Sequence, residues 1–578
     1  MKNLSIYLSI LNKREKLNFI FVLSLSFIAV IFELLGLGMI IPIFSIFIDL
    51  DNFRVSLLYN YIDQNVFNLN QLSNNFIIYL IISLTIIFFF FRATFLTIHH
   101  IFFMNFVYDL RLNLSSRLFK RYLLQPAKFF IDNPSPKLIR NIQTEIAEYV
   151  HTFIYSLLNL FTAIFVCSGI AILLMFENPK LFLLLSSIIS IIFTIYWLYI
   201  KKILVNIGKN RHTSEEKKTK ELINSLNAYK EIKIYNAGEF FHNKFYEFFK
   251  TNLQAVKQYS ILQRIPYFIV EFLFILIILF FLFIVVIRKY DLLVFLPSLG
   301  LYLAATIRIL PNILKINENF QNISYSSISV NYIINEFNKT KNNNEICNID
   351  SNINQLIGIE KIEFRNVDFE YEKNIKIFKN LNISFFKGKT FGIIGDSGKG
   401  KSTLLNLISN LYEPTSGKIH YSNNQVEIEK KLLKNQIGYV SQDNFIYDDN
   451  VLNNILFGMG NNKTLTKKIK SFLIQTKLSK KFIKNGKLTS SSLGEKGNVI
   501  SDGQKQRVAI SRALLRNPSI YIFDEATNAL DKENQREIIK IIDQIKLDSI
   551  VIVVSHDPKV IEKCDYVYKI NKKKLYKV

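Results

Sequence analysis

Hydrophobic and polar positions divide this chain into two regimes. Up to about residue 315, apolar residues run together in stretches of about twenty, long enough to cross a bilayer as helices. Six such runs stand near Asn18–Ile48, Phe76–Val107, Phe153–Phe176, Leu181–Ile200, Tyr267–Ile287 and Leu292–Leu310. The first two are longer than a span requires and are expected to continue beyond the lipid. After a polar, asparagine-rich stretch, short apolar strands alternate with helical segments, which implies a mostly parallel sheet flanked by helices. Residues Ile359–Tyr371 alternate as a strand should. The expected architecture is an α-helical six-span transmembrane domain over residues 1–337, a linker over 338–355, and an α/β domain over 356–578.

The loops between runs orient the first regime. Arg111, Arg117, Lys120 and Arg121 follow the second run, and Lys201, Lys202, Lys209 and Arg211 follow the fourth. The loop between the first two runs sets Arg54 against Asp49, Asp51 and Asp63. Basic loops stay on the cytoplasmic side, so both termini are expected there; Arg288 and Lys289 run against the rule. The two basic loops keep helical periodicity and are expected to project about 30 Å past the membrane. Within them, Pro126–Asp132 and Asn227–Tyr235 read as short crossings between paired helices, either solvated hairpins or contacts that pass motion onward.

Composition adds little to this picture and removes some classes. The net charge of +25 sits mainly beside apolar runs, a membrane-topology pattern and not a nucleic-acid face. Cys167, Cys347 and Cys564 are far apart, so neither a disulfide framework nor a metal site is expected. The N-terminus is expected to be an interfacial helix leading into a retained span, with no cleaved signal.

Chemistry concentrates in the second regime. Thr390–Leu404 reads TFGIIGDSGKGKSTL: a buried strand (Phe391, Ile393, Ile394), a turn, then a helix opening at Lys401, Ser402 and Thr403. This is a complete phosphate loop of a P-loop NTPase in its strand–turn–helix context. Gly395, Gly398 and Gly400, with Ser397 and Lys399 between them, allow backbone N–H groups to curl round an anion. Lys401 would reach the β- and γ-phosphates and Ser402 would hold Mg²⁺. Downstream, Ile520–Glu525 is an apolar strand ending in two acids, where Asp524 can hold Mg²⁺ and Glu525 can polarise a water. Ile550–His556 repeats the arrangement with a histidine.

On these residues the second half resembles the cassette of ATP-binding cassette (ABC) transporters. Ile500-Ser501-Asp502-Gly503-Gln504 is similar to the family's signature. The resemblance implies that Tyr371 stacks on adenine and that Gln442 senses Mg²⁺, with Asp524 and Ser402 completing the metal set. It also implies roles for Glu525, His556 and Gln442 in hydrolysis. Gly494–Gly497 resembles the loop touching the crossing helices, and Ala529–Asp531 the D-loop. Thr403 belongs to the nucleotide set, and Ser501, Gly503 and Gln504 would close over the ATP of a second copy, so a homodimer is implied. Two departures stand out. Lys399 replaces a small residue, and Asp502 replaces the first signature glycine, placing a carboxylate where it would repel triphosphate by about 1 kcal/mol at 4 Å in water. Modest slowing is expected.

Six spans followed by a cassette resemble the exporter branch, without a peptidase-like segment ahead of the spans. Phe32–Phe44 and Ile307–Pro311 also resemble bacterial flippases of lipid-linked oligosaccharides. Ionisable residues in apolar runs (Glu33, Arg92, His99, His100, Glu271, Arg308) either line a substrate path or bridge one another. Arg92 and Arg308 suit a cavity for a pyrophosphate headgroup. The expectation is an ATP hydrolase using ATP and Mg²⁺ to export or flip a lipid-linked oligosaccharide or glycolipid, in contact with membrane lipids and in a bacterial inner membrane. The alternatives are a lipid or multidrug exporter, and a membrane-bound ATP sensor that transports nothing.

Overall fold

A computed structural model describes residues 6–39, 74–177, 179–287, 292–340, 358–371, 375–423, 426–430, 433, 436–526 and 532–578. The chain divides into two compact units: Met1–Gln125 with Phe130–Glu345, and Ile346–Val578 with Pro126–Phe129.

The first unit is built on six long helices among the described residues: α1 (Lys13–Gly38), α2 (Asn74–Leu123), α3 (Tyr155–Glu177), α4 (Pro179–Asn227), α5 (Gly238–Ile287) and α6 (Leu292–Lys339). By length and composition, three stretches of described helix can cross a membrane: Lys13–Gly36, Ile78–Leu123 and Ser135–Ile172. The expected spans at 181–200, 267–287 and 292–310 fall within α4, α5 and α6, where many side chains lie outside the described residues. Residues 40–48 of the first expected span lie outside them altogether. Helices of 48–50 residues (α2, α4, α5, α6) are more than twice what a bilayer needs, so the helical periodicity of the basic loops is realised as rods longer than a bilayer is thick. The two expected crossings are short helices, Ala127–Asp132 between α2 and the segment leading to α3, and Tyr229–Ile234 between α4 and α5. Both expose apolar side chains, Ile131 and Ile234 among them.

One feature of this unit runs against its sequence pattern. The basic loops bury charge. Arg140 and Glu145 are completely enclosed, 3.6 Å apart, and Arg140 Nη1 donates to Glu216 Oε2 at 2.5 Å. Arg211 Nη1 donates to Glu148 Oε1 at 2.7 Å and Nη2 to Ser329 Oγ at 3.0 Å. His212 Nδ1 lies 3.1 Å from Glu145 Oε1, and the Tyr332 ring packs on both His212 and Arg140. The cluster ties the segment before α3 to α4 and α6. That segment is π-helical at Asn141–Glu145 and again at Glu148–Ile154, where the wider turn re-aims side chains. Close approach adds to the bracing: a Cβ on Gly208 of α4 would meet the Tyr325 carbonyl oxygen of α6 at 2.3 Å.

Among its described residues the second unit contains two large sheets and a two-stranded one. Strands β1 (Lys361–Glu370), β2 (Lys376–Phe386), β4 (Ser416–Asn423) and β5 (Val426–Glu427) form an antiparallel sheet in the order β2-β1-β4-β5. Strands β3 (Thr390–Ile394), β6 (Ile437–Val440), β9 (Ile520–Asp524), β10 (Ile550–Val554), β11 (Tyr566–Asn571) and β12 (Lys574–Lys577) form the other, in the order β12-β11-β3-β10-β9-β6. Every pairing in it is parallel except β11–β12, as the strand–helix alternation predicts. β7 (Ile483–Lys484) and β8 (Lys487–Leu488) make a small hairpin. The antiparallel sheet was not foreseen beyond its first strand. Its strands are half-buried and follow one another without the long apolar runs that mark β9 and β10. Both sheets share one core, in which Phe364 and Phe385 meet Phe391, Ile393, Leu404 and Leu407 of β3 and the helix after it.

Removing one partner from the buried cluster leaves an uncompensated charge, which costs about 3–5 kcal/mol. Arg140→Met is therefore expected to lower the thermal unfolding midpoint of the purified protein clearly. Lys218→Met, which removes a partly exposed i,i+3 pair with Glu215, should leave it within about 1 kcal/mol of the parent.

Candidate nucleotide site

Four adjacent parallel strands end at one edge of the six-stranded sheet, and each delivers a predicted residue there. β3 is buried and breaks into the phosphate turn, in which Ser397, Gly398 and Lys399 are exposed. Gly398 has φ 76° and Gly400 φ 102°, left-handed conformations that glycine adopts without penalty. A Cβ on Gly400 would also lie 2.7 Å from Ile377 Cγ2. Gly400 caps helix α7 (Lys401–Ile408), whose first turn carries Lys401, Ser402 and Thr403. An anion in this turn would face several backbone N–H groups and the positive end of α7.

The side chains at the edge form a connected series. Lys401 Nζ donates to the Gly395 carbonyl at 2.6 Å and to His556 Nε2 at 2.9 Å. An ammonium can only donate, so His556 Nε2 is the acceptor here, and the Glu525 oxygen 3.5 Å from it is a contact and not a second hydrogen bond. Gln442 Nε2 donates to the other Glu525 oxygen at 3.0 Å. His556 follows β10, Glu525 follows β9 and Gln442 follows β6, so the series crosses the sheet in strand order. Glu525 sits at φ 50°, its N–H held by the Val554 carbonyl at 2.9 Å. A non-glycine residue in that region is strained, a trait that concentrates at functional sites.

Asp524, last residue of β9, is buried, and Tyr439 Oη donates to its Oδ2 at 3.0 Å. Burial raises the Asp524 carboxyl pKa above its ordinary value, and the Glu525 charge adds to that. The Tyr439 hydrogen bond and the Lys401 charge oppose the rise. Tyr439 was not singled out from sequence as a functional residue. Its signal is slight, an aromatic three residues before Gln442 in a short strand. Tyr371 lies just past β1, and its hydroxyl is 2.9 Å from Thr403 Oγ1.

The signature residues are not joined to this edge. No hydrogen bond or ion pair links Ser501, Gly503 or Gln504 to the phosphate turn among the described residues. They open a separate helix, α8 (Asp502–Arg516), with Ser501 and Gln504 forming a reciprocal capping box. Lys481 Nζ also donates to Gln504 Oε1 at 2.9 Å. Asp502 is 81% exposed and pairs with Lys505 at 3.0 Å, one turn on, so the unexpected carboxylate has a cation beside it. Gly494–Gly497 forms a tight 3₁₀ turn with Lys496 at φ 52°. The expected D-loop, Ala529–Asp531, lies outside the described residues.

The candidate cavity residues are separate again. The Arg92 guanidinium stands over the Phe89 ring at 5.6 Å and against Gly36, and its Nε is buried with no hydrogen-bond partner among the described residues. Arg308 is in α6, its side chain outside the described residues. His99 Nε2 lies 2.9 Å from Ser26 Oγ, linking α2 to α1.

Comparison with known proteins agrees with this geometry. Residues 17–291 match the ABC transporter transmembrane region and residues 378–528 the ABC transporter family. A protein of Rickettsia prowazekii named as an export ATP-binding/permease protein is 37% identical over 214 residues, 36% of this chain and 37% of that one. ATP-binding cassette sub-family B member 10, mitochondrial, of Mus musculus is 33% identical over 210 residues, 36% of this chain and 29% of that one. The aligned part thus spans 37% of the first relative and 29% of the second. A structure of a bacterial Atm1-family ABC exporter with ATP bound superposes with a TM-score of 0.76, covering 97% of this chain and 94% of that chain at 18% identity, a likeness of fold. The two matched regions in this order define the class, an ABC transporter membrane region followed by an ATP-binding cassette. The chain belongs to the ABC transporters, a family of transport ATPases, and is an integral membrane protein.

Tyr439→Phe removes one of the two influences that hold the Asp524 pKa down, so the carboxyl should ionise only at higher pH. The acid limb of the pH–ATPase profile is expected to move to higher pH, with a smaller change on the alkaline plateau. An unmoved acid limb would show that the Tyr439 hydrogen bond does not govern the ionisation of Asp524.

Proposed function

We propose that this chain couples ATP hydrolysis to the export or flipping of an amphipathic substrate, with a lipid-linked oligosaccharide or glycolipid as the substrate class. The observation that carries the ATPase half is the series Lys401–His556–Glu525–Gln442 along one sheet edge. In this reading residues 1–337 form the transmembrane domain, 338–355 the linker and 356–578 the cassette. Tyr371 stacks on the base, and Gly395 to Thr403 enclose the phosphates, with Lys399 adding an exposed cation and Lys401 a positioned one. Glu525 accepts the proton of an attacking water, and His556 and Gln442 hold the carboxylate and the γ-phosphate in line.

Ser402, Asp524 and Gln442 offer a hydroxyl, a carboxylate and an amide oxygen, the all-oxygen set that suits Mg²⁺. The ion would neutralise phosphate charge there. Ser501, Gly503 and Gln504 serve a second copy in a homodimer with two ATPs. Closure follows from ATP favouring the joined form by its differential affinity. Asp502, balanced by Lys505, slows this step without preventing it, so Asp502→Gly should raise turnover a few-fold. The nucleotide domain and both termini face the cytoplasm of a bacterial cell.

Arg92 supports the substrate half: its buried guanidinium nitrogen, with no partner among the described residues, sits in an apolar helix and suits an anionic group. Arg308 is proposed as its counterpart. ATPase activity in lipid nanodiscs, wild type beside Glu525→Gln, tests the whole reading when lipid-linked oligosaccharide is titrated in. Stimulation that disappears in Glu525→Gln and falls in Arg92→Ala and Arg308→Ala is the expected result. Basal hydrolysis without stimulation redirects the search to lipids and drugs. ATP binding with no hydrolysis makes the chain a sensor.

A further inference from the structure

Tyr371 is held more firmly than base stacking requires. It follows β1 of the antiparallel sheet, whereas Thr403 belongs to α7, which follows the phosphate turn of the other sheet. The 2.9 Å contact between their hydroxyls therefore joins two separately built parts of the site. The ring is also braced by perpendicular aromatic contacts, Phe369 at 5.0 Å and Tyr412 at 5.6 Å, and Phe369 and Tyr412 touch each other at 5.8 Å. Despite this, Tyr371 stays 39% exposed, while Thr403 is buried. A surface tyrosine tied at its hydroxyl and braced on two sides has lost the rotamer freedom that a ligand would otherwise have to remove.

The chemistry of the two hydroxyls favours one direction for the contact. Either hydroxyl can donate in this contact; a phenol is the stronger acid, and with it donating the threonine oxygen accepts. The Thr403 proton is then left to point at an anionic oxygen in the turn that α7 caps. The Tyr371–Thr403 pair would thus link the base end of a nucleotide to its phosphate end through protein atoms.

We propose that the Tyr371 hydroxyl and Thr403 act together as positioning groups, fixing the distance between a base on the Tyr371 ring and the polyphosphate in the turn. This rests on the nucleotide-site reading above. The pair would favour ligands carrying both base and polyphosphate over either part alone.

The test is equilibrium binding of ADP and of inorganic tripolyphosphate to the full-length protein in nanodiscs, neither measurement requiring hydrolysis of ATP. Tyr371→Phe keeps the ring and removes the hydroxyl. It is expected to weaken ADP about fivefold, the factor for a hydrogen bond of about 1 kcal/mol, and to leave tripolyphosphate unchanged. Thr403→Val should weaken both ligands, Thr403→Ser should restore both, and Tyr371→Phe combined with Thr403→Val should bind ADP no worse than Thr403→Val alone. ADP binding by Tyr371→Phe at wild-type strength, alongside weakened Tyr371→Ala, overturns the proposal while leaving the site intact. Additive losses in the double variant overturn it as well. If Tyr371→Ala and Lys401→Ala both bind ADP like wild type, the nucleotide-site reading itself fails.

Discussion

The level register of neighbouring parallel strands is what the candidate site depends on. Val554 at the end of β10 pairs with Ile393 of β3 on one side and with Asp524 of β9 on the other. All three strands therefore finish together, and the residues that follow them meet at one edge. Side chains alternate along a strand with a period of two. A slip of one residue between β9 and β10 would turn Asp524 away from the edge and carry Glu525 past His556. The register is secured by near-complete burial of both strands, whose residues pack on both faces, so a slipped pairing would disturb two layers of core at once.

Left-handed backbone at that edge occurs at two residues of opposite kind. Gly400 adopts its left-handed conformation freely, and a side chain there would strike Ile377. Glu525 adopts a similar conformation at a cost, restrained by its N–H bond to Val554. The strand leaves β9 through a bend that sets the Glu525 carboxylate beside Gln442 and His556. The same sheet edge thus combines an easy turn for binding with a strained one beside the acid.

Much of this was readable in the sequence because the signals are local. The phosphate loop is a contiguous run, and Asp524, Glu525 and His556 each close an apolar strand, so position along the chain predicts position at the edge. The long helices were readable too, since helical periodicity persists past the apolar runs, through Ser115 to Glu148 and Asn206 to Ile261. What could not be read depends on partners distant in sequence. Tyr439 reaches Asp524 across 85 positions, and Tyr371 reaches Thr403 across 32. Burial of Arg140, Glu145, Arg211 and His212 was not foreseen, since it depends on how α4 and α6 pack around the segment before α3. Lys505 beside Asp502 is intermediate, an i,i+3 neighbour visible once α8 is placed.

The rods of the first unit have a mechanical consequence. A helix of 50 residues such as α2 or α5 is roughly 75 Å long, so tilting it by about 5° sweeps its far end through roughly 6–7 Å. Movement of that size at one end needs only a small angular change where the other end meets lipid. The buried ion cluster joins the segment before α3 to α4 and α6 part-way along their length, so these elements are geared together and share one rotation. Stiffness in that cluster, and not strength of any contact at the tips, would then set how faithfully an angle at one end becomes a displacement at the other.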